Sequence, residues 1–84
     1  MKEVIIRPVT SEKAVRLMES QNIITLIVDL RSNKSEIKKA VNSLFKTKAV
    51  KVNTLITPRS EKKAYVKLSM DTNALDIGAE LGVI

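Results

Sequence analysis

Lys63, Tyr65 and Lys67 alternate along one short run, and Lys51, Asn53 and Leu55 repeat that spacing upstream. On extended backbone, alternate side chains share a face, so each trio lies on one side of its strand. A ring held between two ammonium groups can stack on a base while the lysines neutralise neighbouring phosphates, a recurrent way for a small sheet to hold RNA. The plainer use of the same pattern is a solvated face on which lysine blunts an edge strand. The alternation alone does not choose between them.

The rest of the chain favours the first use. Its 84 residues have a formal charge of +6, and the charge is unevenly spread. Eleven basic residues fall between Arg31 and Lys67 against only Glu36 and Glu61, whereas the stretch after Ser69 holds Asp71, Asp76 and Glu80 and no base. A concentrated cationic middle is the footprint of a polyanion partner. A membrane surface would attract the same charge, but no basic amphipathic helix with a broad apolar face and an anchoring Trp is present in the sequence. Cysteine and histidine are both missing, which removes disulfides, thiolate metal sites and the commonest general base. The composition therefore argues against an enzyme and points to no metal or cofactor.

The opening MKEVIIRPV is interrupted by Arg7 and Pro8 too soon for a signal peptide, and no apolar run approaches the roughly 20 residues that span a bilayer. One cytoplasmic domain over residues 1–84, without stable membrane insertion, is expected.

The elements that must position the basic face follow from periodicity. Val50, Val52, Thr54 and Ile56 form the inward parity of one strand and Ala64, Val66 and Leu68 that of its partner, joined by a short turn over Thr57 to Glu61. Upstream, Val4 to Ile6 reads as an edge strand closed by Arg7-Pro8. A helix is expected from about Ser11 to Ser20, capped by a hydroxyl. Ile23 to Leu30 is apolar on both parities and predicts a central strand covered on both faces, with helices on each side. Asn33 to Glu36 resembles a capping box before a stripe of Ile37, Ala40, Val41, Leu44 and Phe45. After Ser69 a last helix runs to about Leu81, burying Ala74, Ile77 and Leu81, with Gly82 as its stop and Val83-Ile84 packing back. The order β-α-β-α-β-β-α describes a small α+β domain of the split βαβ, or ferredoxin-like, type. The cations of the middle segment are expected to gather on one exterior surface.

Several phrases, in order, resemble the universal large-subunit ribosomal proteins of the L23 family. They are Arg7-Pro8 with Ser11-Glu12-Lys13; Lys34 with Glu36-Ile37-Lys38, Ala40-Val41 and Leu44-Phe45; VKVNTL over 50–55; KKAYVKL over 62–68; and Leu75-Asp76. The resemblance implies an antiparallel sheet with helices packed on it and binding to large-subunit rRNA beside the polypeptide exit tunnel. It marks Arg7, Lys13, Lys38, Asn53, Thr54, Lys62, Lys63 and Tyr65 as rRNA-facing candidates, to which the basic segment adds Lys34, Lys39, Lys51, Arg59 and Lys67. Glu12, with Arg16 and Glu19 of the same helix, is the candidate docking site for nascent-chain factors. The resemblance also implies neighbouring ribosomal proteins as partners, the signal recognition particle and translocon as transient ones, and a monomer within the ribosome. The tight turn at Thr57 to Glu61 replaces the long tunnel loop of bacterial members, and no long basic extension precedes Val4, so the chain looks like the archaeal version.

Two rivals share the scaffold. A free-standing single-strand RNA reader of the RRM kind would show two or three stacking aromatics where this chain has only Tyr65. A small enzyme would want a glycine-rich phosphate loop, yet Gly78 and Gly82 are the only glycines.

Overall fold

The computed structural model describes residues 4–82, in the order β1 (Ile5–Pro8), α1 (Glu12–Gln21), β2 (Ile23–Val28), α2 (Lys34–Phe45), β3 (Ala49–Ile56), β4 (Lys62–Leu68) and α3 (Ala74–Glu80). The four strands form one antiparallel sheet in the spatial order β1-β2-β4-β3. Because β4 lies antiparallel between β2 and β3, those two run the same way and α2 links them, which is the expected split βαβ unit.

The helix boundaries follow their caps. The Ser11 hydroxyl accepts the Ala14 N–H at 3.2 Å to open α1. Asn33 and Glu36 complete a reciprocal capping box at α2, with bonds of 2.8 and 3.1 Å. Asn73 caps α3 by accepting from the Leu75 N–H.

One aliphatic core lies on one face of the sheet. Ile24, Leu26 and Val28 of β2 meet Val52, Ala64, Val66 and Leu68 of the hairpin, and Met18, Ile37, Val41, Ala74 and Ile77 bring all three helices into the same cluster. Phe45, Leu75 and Leu81 pack against its margin. The second face of β2, Thr25 and Ile27, is also buried, and on that side Ala14 and Leu17 of α1 line a cleft with Thr25 and Tyr65.

Four sequence expectations are corrected. Val50 is 57% exposed, because the pairing steps from Ala49↔Leu68 to Lys51↔Lys67 and leaves Val50 as the extra residue of a bulge. Ala49 takes the inward place instead and is buried. Ile56, beside the turn of the hairpin, is 64% exposed, and Leu44, in the last turn of α2, is 61% exposed, both outside the core cluster. The strand at Ile23 stops at Val28, since Asp29 accepts the Arg31 N–H and turns the chain, leaving Leu30 exposed. Val83-Ile84 lies outside the described residues.

Asn22 joins distant parts of this frame. It closes α1 in the left-handed region at φ 57°. Its side-chain amide donates to the carbonyls of Leu68, Ser69 and Thr72 at 3.3, 3.1 and 2.8 Å, while its Oδ1 accepts the Ala74 N–H at 2.8 Å. One residue thus ties the α1–β2 junction to the passage from β4 into α3.

Candidate nucleic-acid interface

The face of the sheet away from the core is built from three cross-strand rows. Arg7, Ile27, Lys63 and Leu55 form the first; Thr25, Tyr65 and Asn53 the second; Ile23, Lys67 and Lys51 the third. Strand alternation places them there, because their neighbours Leu26, Ala64, Val66 and Val52 fill the core. Tyr65 is therefore at the centre, with Lys63 and Lys67 on either side of it along β4 and Asn53 beside it on β3. Arg59, on the hairpin turn, lines a cleft with Arg7 and Lys63. Lys13 reaches the same face from α1, in the cleft shared with Thr25, Lys63 and Tyr65.

The turn that holds Arg59 is fixed by its own backbone: the Thr57 N–H donates to the Glu61 carbonyl at 2.8 Å and the Ser60 N–H to the Thr57 carbonyl at 3.0 Å. Glu61 is the acid at this rim, and its carboxylate accepts from the Arg7 guanidinium at 2.8 Å. Lys51 and Lys67 stand directly opposite each other across β3 and β4. Like charges in that position are destabilising by roughly 0.2–1 kcal/mol, a cost that a bound anion removes. Opposite Tyr65 on β2, the Thr25 Oγ1 is buried with no hydrogen-bond partner.

Not every candidate joins this face. Thr54 pairs with Ala64 and so belongs to the core side, half-buried at the edge. Lys62 has the same parity, and its ammonium donates to the Ser32 carbonyl. Lys34, Lys38 and Lys39 are exposed on α2, which packs Ile37 and Val41 on the core side of the sheet. The expected single cationic surface is thus divided in two. The physical reason is that α2 must turn its apolar stripe toward the core, which sends its lysines away from the open face. Glu12, Arg16 and Glu19 are all exposed on α1, at helical spacing that puts them on one stripe.

The residues that position the face without belonging to it were not singled out in the sequence. Asn22 and Asn42 are the main ones; the Asn42 side chain accepts the Ala49 N–H at 2.7 Å and sets the start of β3. Both look like loop or helix-face polar residues, and their partners lie on other elements, so no local signal marks them.

Among the described residues no helix is long and apolar enough to cross a membrane.

Comparison with known proteins adds an independent observation. The family model for ribosomal protein L23 matches residues 3–75. The large ribosomal subunit protein uL23 of Pyrobaculum aerophilum is 55% identical over 78 residues, covering 93% of this chain and 96% of that protein. The uL23 protein of Trypanosoma brucei brucei is 49% identical over 77 residues, covering 92% of this chain and 47% of its own length. The uL23B protein of Caenorhabditis elegans is 49% identical over 81 residues, covering 96% of this chain and 56% of its own. The chain spans nearly all of the first relative and about half of the other two.

Proposed function

This chain belongs to the ribosomal protein L23 family, and from that membership we propose that it is a structural constituent of the large ribosomal subunit, held by rRNA through the open face of its sheet. A role in that family is structural and not catalytic, so the protein is not an enzyme. The site lies beside the mouth of the polypeptide tunnel, in the cytoplasm, with other large-subunit proteins as neighbours and the chain present as a monomer. Glu12, Arg16 and Glu19 form a docking stripe on α1 for the signal recognition particle and the translocon, which are transient partners.

The observation that supports this reading is the central Tyr65 between Lys63 and Lys67, with Lys51 opposing Lys67. Such a face offers one stacking platform and several phosphate contacts. Lysine and arginine neutralise phosphates and release counterions, so affinity should fall steeply with salt.

Binding of the full chain to a large-subunit rRNA fragment and to short single strands, measured across a salt series, tests it. The structured fragment is expected to bind far more tightly. Replacing Lys51, Lys63 and Lys67 together by Ala should flatten the slope of log K against log salt by about 2–3. Equal binding to any oligonucleotide would refute the reading.

A further inference from the structure

The corner where α1 begins beside β2 has more than charge. Its cleft is lined by Ser11, Lys13, Thr25, Lys63 and Tyr65, with apolar side chains as one wall and no carboxylate among the described lining residues. Three of those residues bear hydroxyls and two bear ammonium groups. The first turn of α1 opens here, and the Ser11 hydroxyl takes the Ala14 N–H, leaving the earlier amides of the helix without intrahelical partners. That alone would be an ordinary helix start.

Thr25 supplies the second observation. It is 3% exposed, lines the cleft, and its Oγ1 is sealed from solvent with no hydrogen-bond partner. Buried hydroxyls are nearly always paired, and one left unpaired on a binding face calls for a partner that arrives with the ligand. The space beside it, about 20 Å³, admits one water-sized atom and excludes a nucleoside.

We propose that this corner seats a single phosphodiester group of the bound RNA. One non-bridging oxygen enters the cleft and, as the Thr25 side chain turns about χ1 to face it, accepts from the Thr25 hydroxyl, while Lys13 and Lys63 neutralise the group from either side. The inference rests on the RNA-binding function proposed above and makes it more specific. Exposed lysines such as Lys51 and Lys67 tolerate sliding of a phosphate backbone, whereas a shaped pocket fixes the register of the strand so that a base meets Tyr65.

The test uses the full chain and a Thr25→Val variant, which keeps the branched shape and removes a hydroxyl that has no partner to lose; a far-UV circular dichroism spectrum and an unfolding curve check its fold. The isotope-labelled protein is titrated with inorganic phosphate, and with chloride at matched ionic strength, while amide shifts around Lys13, Thr25 and Tyr65 are followed. Saturable shifts are expected with phosphate only, weakened about tenfold in Thr25→Val, the loss expected for one hydrogen bond to a charged group. The same variant should lose about tenfold in affinity for the rRNA fragment with an unchanged salt slope, whereas Lys13→Met should lower that slope by about 1. Phosphate shifts that merely track chloride, or wild-type rRNA affinity in Thr25→Val, overturn the phosphate seat and leave the proposed function standing. Failure of the unaltered chain to prefer structured rRNA overturns both.

Discussion

Replacing Asn22 by alanine should cost far more stability than its half-buried, polar setting suggests. The side chain makes its two shortest bonds, to the Thr72 carbonyl and from the Ala74 N–H, at 2.8 Å, and shares its second amide proton between Leu68 and Ser69 at 3.3 and 3.1 Å. At about 1 kcal/mol of net contribution for each of three effective bonds, the loss is about 3 kcal/mol. Alanine also has to occupy the left-handed φ of 57°, which adds roughly 1–2 kcal/mol. A domain of this size has a total stability of roughly 4–13 kcal/mol, so the substitution removes a large share of it. Asn22→Gly separates the two effects, because glycine adopts that φ freely and should recover about 1 kcal/mol of the loss. Urea unfolding followed by far-UV circular dichroism reads both variants; with the slope unchanged, the midpoint of Asn22→Ala should fall by about 1–5 M. A loss below about 0.5 kcal/mol, or a glycine variant as stable as the parent, would show that these long-range bonds contribute nothing net.

Lys67→Glu converts the opposed Lys51–Lys67 pair into an attractive one, so stability should rise by roughly 0.2–1 kcal/mol in urea unfolding while rRNA affinity falls in the same variant. Neither gain nor loss alone would fit a face that trades stability for binding. In the core, Ile37→Ala should cost about 2–5 kcal/mol, because its side chain is fully enclosed. Leu44→Ala, two turns further along the same helix, should stay within about 0.5 kcal/mol in the same assay.

Elements whose signals are local were legible in advance. The capping box at Asn33, the alternation of KKAYVKL and the two-sided burial of β2 each depend on near neighbours or on a simple period, and all three are present. Features set by a partner element were not. The bulge at Val50 arises from the register between β3 and β4, and a one-residue step there reverses which of Ala49 and Val50 faces inward. Leu44 fits the apolar stripe of α2 yet is exposed, while Phe45 after it packs on the margin of the core. The same logic divided the candidate site: parity along β3 and β4 correctly grouped Lys51, Asn53, Lys63, Tyr65 and Lys67, while the lysines of α2 needed the packing direction of that helix to be known. The contacts of Asn22 span about fifty residues of chain, and no periodicity encodes them.

Tyr65 is the only tyrosine of the chain, and there is no tryptophan. Its place at the middle of the open sheet therefore makes the molecule's single phenol a built-in footprinting label. Nitration of that ring in the free protein, compared with nitration in assembled particles, reports directly whether this surface is covered, without any engineered tag.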